Sequence, residues 1–230
     1  MNKQLTEKPV SHPSHYDVHS IFKTIQGEGP YSGHPAIFIR LAGCNLQCPW
    51  CDTDYTSKRQ RMSYGEIVEQ VSALAKGNID QIVVITGGEP FRQNIRQLAN
   101  ILKSIYAVVQ IETNGTLEVP IHLSHAVDIV CSPKTGNVHP SIYNRAIAFK
   151  YVLNHNSIDP EDGLPIKVLD HSCKPRVARP SEGFTGATYV LPMDVPDIEE
   201  HRKNIQAVVD SSLKYGYIAQ LQIHKVLKVE

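Results

Sequence analysis

Apolar positions in this chain fall into two rhythms. Near-continuous runs predict strands at 36–41 (Ala36-Ile37-Phe38-Ile39-Arg40-Leu41), 81–86, 107–112, 127–131, 146–153 and 187–191. The β-branched stretch Gln81-Ile82-Val83-Val84-Ile85-Thr86 has the composition of a strand covered on both faces. Between these runs, apolar residues recur at helical spacing. Ser63-Tyr64-Gly65-Glu66 is a capping box opening a helix to about Lys76, with Ile67, Val71, Leu74 and Ala75 as its buried stripe. Ile95, Leu98, Leu102 and Ile105 mark a second helix over 93–105, and a third is predicted over 198–215, before a last strand at 218–223. Strands alternating with helices imply parallel βα units. About six strands are too few to close an eightfold barrel, so the expectation is an α/β fold: a partial, open (β/α)6-like barrel with reduced helices and a C-terminal strand.

Two stretches fall outside this rhythm. Residues 1–20 are polar and read as a flexible N-terminal arm, with order beginning at Ile21 and 21–230 forming a single domain. Within the arm, His12, His15 and His19 read as solvated. Residues 154–186, broken by prolines, read as a long irregular connection with one short strand at 166–169.

The strand ends carry the chemistry. After the run 36–41 come Cys44, Cys48 and Cys51, spaced C-x3-C-x2-C. Thiolates bind soft metals, and one short loop with this spacing can wrap three corners of a cubane iron–sulfur cluster. Three ligands would leave one iron open to a small molecule, such as the amino and carboxylate groups of a methionine-like ligand. A structural zinc site is the alternative; it needs a fourth ligand, for which His34, Cys131 and Cys173 are the nearest candidates. Other strands end at Thr86-Gly87-Gly88-Glu89, Glu112-Thr113-Asn114-Gly115 and Ser132-Pro133-Lys134. Parallel α/β folds bind ligands at this rim. Gly87 and Gly88 would expose backbone groups there, and Gln26-Gly27-Glu28-Gly29-Pro30 marks a further turn of close backbone approach.

Composition narrows the class. With 23 basic and 23 acidic side chains the formal net charge is zero, so no basic stripe argues for nucleic acid. No apolar run is long enough for a membrane span, and thiols kept reduced for a cluster suit the cytoplasm.

C-x3-C-x2-C with a Gly-Gly-Glu-Pro turn resembles the radical S-adenosylmethionine superfamily. Thr24-Ile25-Gln26-Gly27-Glu28-Gly29, Pro35 to Leu41, Cys51-Asp52-Thr53, Glu112 to Thr116 and Gln222-Ile223-His224-Lys225 make the chain similar, from Ile21 onward, to the 7-carboxy-7-deazaguanine synthase family. The resemblance implies a radical SAM fold, a [4Fe–4S] cluster on Cys44, Cys48 and Cys51, and S-adenosylmethionine on the open iron, cleaved to a 5′-deoxyadenosyl radical. It implies cofactor contacts by Trp50, Cys51, Asp52, Gly88, Ser132, Pro133 and Lys134, and Mg2+ at Thr53. The implied substrate is 6-carboxy-5,6,7,8-tetrahydropterin, converted with loss of ammonia to 7-carboxy-7-deazaguanine for 7-deazapurine (queuosine-type) biosynthesis. Its implied contacts are Ile25, Gln26, Gly27, Glu28, Arg40, Thr86, Glu112 and His224, with Glu230 through its terminal carboxylate. A homodimer and an electron donor such as flavodoxin or ferredoxin are also implied. A glycyl-radical-enzyme activase would share the cluster, and a non-catalytic metal-binding module is the rival outside enzymes. Leu191-Pro192-Met193 departs from the family's Gln-Pro-Met near the cofactor. Cys131 and Cys173 have no assigned role; Cys131 reads as a small buried hydrophobe.

Overall fold

The computed structural model describes residues 1–10, 14–171 and 173–229. Strand β1 (His15–Ile25) pairs antiparallel with β2 (Pro35–Leu41) on one side and with β3 (Gln60–Ser63) on the other. From β2 the sheet continues in parallel through β4 (Ile82–Gly87), β5 (Val108–Thr113), β6 (Asp128–Cys131), β7 (Ala146–Leu153), β8 (Ala187–Pro192) and β9 (Ile218–Ala219). The nine strands are ordered β3-β1-β2-β4-β5-β6-β7-β8-β9, and β3 and β9 are not joined. The sheet is an open, partial barrel.

Helices α1 (Tyr64–Ala75), α2 (Arg96–Ile105) and α4 (Ile198–Tyr215) lie near their predicted positions, while α3 (Pro140–Tyr143) is a single turn. The capping box at α1 forms: the Ser63 hydroxyl accepts from the Glu66 amide, and the Glu66 carboxylate accepts from the Ser63 amide.

The pleat gives the sheet two different faces. Ile39, Leu41, Ile85, Ile111 and Ile129 belong to the main core, with the apolar residues of α1 and α2. On the other face the register sets Arg40 beside Thr86. One step beyond the Ile85–Ile111 pair comes Glu112, and Lys150 lies two residues past Ala148, itself level with Val130. Apolar residues on that face include Ala36, Ile82 and Val84 and, further round the sheet, Val130 and Ala148. The face turns polar at the C-terminal ends. Burial therefore floors the cleft, and strand register gathers its charged groups.

Four sequence expectations are corrected. Strand structure begins at His15, so residues 15–20 belong to the sheet rather than to an arm. Within it His19 is buried beside Ser57 and Asp54, while His12 lies outside the described residues. Residues 1–10 are fixed by backbone bonds, including Glu7 N to Cys44 O at 2.7 Å. Residues 166–169 form no strand; Leu169 and Asp170 take left-handed backbone angles. Finally, the C-terminal strand is only β9, and Ile223–Leu227 form a short helix, α5.

Candidate active site

A cleft of about 440 Å3 opens at the C-terminal ends of the parallel strands. Its first wall is the cysteine loop that follows β2. Cys44 and Cys48 are buried, Cys51 is half-buried and lines the cleft, and all three are free thiols. Burial pushes each thiol up, Cys44 to about 12, and the neighbouring thiols and Glu89 oppose its ionisation further. Lys134, after β6, works the other way on Cys48 and Cys51. Gly88 packs against this loop so tightly that an added Cβ would stand 2.2 Å from the Gly43 carbonyl oxygen. Behind it, the buried Glu89 accepts from the Thr113 hydroxyl at 2.8 Å and the Asn114 amide at 2.7 Å, tying the β4 turn to the β5 turn. Burial raises Glu89 to about 7 against these hydrogen bonds.

The opposite wall is built from charged side chains. Glu28, just after β1, pairs with Lys150 of β7 and accepts from Gln222 Nε2 at 2.5 Å. Burial alone would raise its carboxyl; the Lys150 ammonium overrides this and holds it at about 2. Lys150 also stands 3.8 Å from Glu112, which accepts from Gln26 Nε2 at 3.0 Å and, through its other oxygen, from the Thr86 hydroxyl at 3.4 Å. Burial disfavours the Lys150 charge, but the two carboxylates raise its pKa overall. Arg40 lies with its guanidinium 5.0 Å from the Phe22 ring centre. His224, in the first turn of α5, covers Gly27 so closely that a Cβ there would meet its ring at 1.8 Å. Burial lowers the His224 pKa, leaving the ring neutral near pH 7.

Three comparisons bear on this arrangement. The Radical SAM superfamily pattern matches residues 38–135. The 7-carboxy-7-deazaguanine synthase of Rhodospirillum rubrum is 39% identical over 219 residues, covering 92% of each chain. That of Rickettsia prowazekii is 36% identical, covering 93% of this chain and 88% of its own. The chain belongs to the 7-carboxy-7-deazaguanine synthase family. The crystal structure of QueE from Escherichia coli shares the fold, with a TM-score of 0.66 over 90% of this chain and 93% of that one, at 23% identity.

Membership in a radical SAM family implies a [4Fe–4S] cluster and S-adenosylmethionine, and the donor set fits. Among the described residues no group of three His, Cys, Asp or Glu side chains is arranged to hold a single metal ion. A cubane instead takes each thiolate on a separate iron, so thiols spread around one loop suit it. Buried thiols that resist ionisation are also stabilised as thiolates by iron.

The remaining sequence-predicted residues divide clearly. Ile25, Gln26, Gly27, Trp50, Asp52, Thr53, Ser132 and Lys134 line the same cleft. Pro133 is buried outside the lining and Glu230 lies outside the described residues. Trp50 donates to Asp170 at 2.9 Å, and Asp52 pairs with Lys225 at 2.7 Å. Leu191 is fully buried and does not line the cleft, whereas Met193 does. Sequence reasoning missed Lys150 and Gln222, the partners of Glu28. A lysine inside the apolar run Phe149-Lys150-Tyr151-Val152 was the available signal, because a lysine is seldom buried without a partner.

Proposed function

We propose that this protein is a 7-carboxy-7-deazaguanine synthase, a radical SAM lyase that converts 6-carboxy-5,6,7,8-tetrahydropterin to 7-carboxy-7-deazaguanine with loss of ammonia. The observation that carries the reading is the facing of two walls across one cleft, thiols and glycine turn on one side and Glu28, Glu112 and Lys150 on the other. When bound, the cluster and S-adenosylmethionine supply a one-electron cleavage whose radical removes hydrogen from the substrate. The chain's own side chains do the orienting. Glu28, ionised at neutral pH, accepts from the N–H edge of the pterin, and Glu112 offers a second acceptor. Arg40, backed by Phe22, presents a fork for the substrate carboxylate. Neutral His224 closes the cleft over Gly27. Gly88 leaves backbone groups open to the amino-acid part of S-adenosylmethionine, and Trp50, Asp52, Ser132 and Lys134 line its path.

Thr53, half-buried at the cleft, would lend its hydroxyl to Mg2+ beside the substrate carboxylate. A cytoplasmic homodimer served by a flavodoxin or ferredoxin completes the reading; among the described residues no helix is long and apolar enough to cross a membrane.

The test is an anaerobic assay of reconstituted protein with reductant, S-adenosylmethionine, Mg2+ and the carboxytetrahydropterin, followed by mass spectrometry. The carboxydeazaguanine product is expected, and Cys48→Ala should yield neither product nor deoxyadenosine. Deoxyadenosine without that product from the parent would overturn the substrate, and neither from cluster-loaded protein would overturn the enzyme assignment.

A further inference from the structure

The loop from Cys44 to Asp52 contains no helix or strand, yet its thiols must hold a fixed spacing. Its internal support is slight: Cys51 N donates to Cys48 O at 3.1 Å, and Leu46 N reaches Cys44 Sγ at 3.5 Å. Most of its remaining carbonyl bonds come from the first residues of the chain. Asn2 N donates to Pro49 O at 2.7 Å and Asn2 Nδ2 to Cys48 O at 3.2 Å. Glu7 N donates to Cys44 O at 2.7 Å, within a parallel bridge between Thr6 and Cys44. Gln4 does more. Its amide nitrogen donates to Thr53 O at 2.8 Å while its amide oxygen accepts from Tyr55 N at 2.7 Å. The side chain thus stands in for a peptide unit of a neighbouring strand. Asn2 Oδ1 accepts from Gln4 N at 2.9 Å, which locks the two side chains to each other.

The segment is itself anchored away from the loop. Glu7 pairs with Arg59 and, at 3.3 Å, with Arg92. Arg92, only 1% exposed, donates to Lys8 O at 3.2 Å and Ala42 O at 2.9 Å, and its carbonyl accepts from Val10 N at 2.7 Å. An end anchored at Glu7 to Val10, with two amide side chains reaching the loop from the rest of the segment, makes a strap.

We infer that residues 2–7 are a strap that fixes the cysteine loop in its cluster-binding geometry, with Asn2 and Gln4 as the positioning residues. The inference rests on the cluster assignment above for its purpose, but not for its geometry. Removing the side-chain donors to the carbonyls of Cys48 and Thr53 would let water and loop motion compete for them, and the cluster would be held by a looser frame.

The test uses the full chain as parent, Asn2→Ala, Gln4→Ala, Gln4→Glu and the Asn2→Ala/Gln4→Ala double variant. Amide hydrogen exchange on the iron-free protein reads the loop directly. Gln4→Ala should speed exchange at Tyr55 about tenfold, the factor for a lost bond of about 1.4 kcal/mol. Gln4→Glu, which keeps the acceptor, should leave the Tyr55 amide near the parent rate. Amides of α4 should be unmoved in every variant, which separates the strap from a general loss of stability. On reconstituted protein, the double variant should lose iron to a chelator at least about tenfold faster than the parent. Unchanged loop exchange and iron loss in the double variant, or acceleration spread equally over α4, would overturn the inference. A parent that takes up no iron would sink the cluster assignment instead, while the exchange data still decide the strap.

Discussion

The two walls of the cleft are built by opposite means. The cysteine wall is held by main-chain hydrogen bonds and by glycine contacts in which Gly88 meets the Gly43 carbonyl. The facing wall is held by side-chain charge, with Lys150 bridging Glu28 and Glu112. The first rests chiefly on amides and carbonyls, which do not titrate, with Glu89 behind it as a titrating tie between two turns, and it tolerates no added atoms. The second tolerates small changes of shape but depends on which groups are ionised. A buried lysine between two carboxylates is compensated only while they are ionised.

Breaking the charged wall should have the largest effect. Lys150→Met leaves two acidic groups facing an apolar side chain, and we expect about 4 kcal/mol of lost stability in urea unfolding at pH 7. Adding Glu28→Gln should recover much of it; no recovery would show that Lys150 is not balanced by Glu28.

The same wall should respond to acid. The Glu28 carboxyl is depressed from 4.5 to about 2, so its ionised form is favoured by folding. Its contribution of about 3 kcal/mol is fully present above pH 4.5 and is lost as pH falls from 4.5 through 2. Stability measured across that window should fall in the parent and flatten in Glu28→Gln; parallel curves would move the acid sensitivity elsewhere.

The main-chain wall is tested by bulk. Gly88→Ala should cost about 2–3 kcal/mol, since its Cβ meets backbone that cannot step aside, and it should abolish S-adenosylmethionine binding in a calorimetric titration. Binding and melting temperature both like the parent's would mean the glycine contact is dispensable. Trp50→Phe should be mildest, losing the bond to Asp170 for about 1 kcal/mol with turnover retained.

What the sequence disclosed follows the same division. Local devices were legible: the α1 capping box, the strand at β4 and the span of α4 each depend on neighbours a few residues away. The rim motifs were legible because glycines, cysteines and polar strand ends cluster there. Lys150 was not, because its partners stand 122 and 38 positions away in sequence. The strap was hidden for another reason. Asn2, Gln4 and Glu7 are polar with no apolar period, the composition of a mobile arm, and their partners, main-chain groups of a distant loop and the Arg59 and Arg92 side chains, are brought to them only by the fold. The last strand was drawn too long, over 218–223 instead of Ile218–Ala219, because Gln220 to Ile223 alternates in polarity over too few residues to fix a period.

The tryptophan of the cysteine wall has one more consequence. The chain contains a single tryptophan, Trp50, a residue 44% exposed on the rim of the cleft, between Cys48 and Cys51 in sequence. All indole fluorescence of this protein therefore originates beside the thiols. Assembly of an iron–sulfur chromophore there should quench that emission, and a ligand entering the cleft should shift it. The molecule carries its own optical gauge of loading, readable anaerobically without a label.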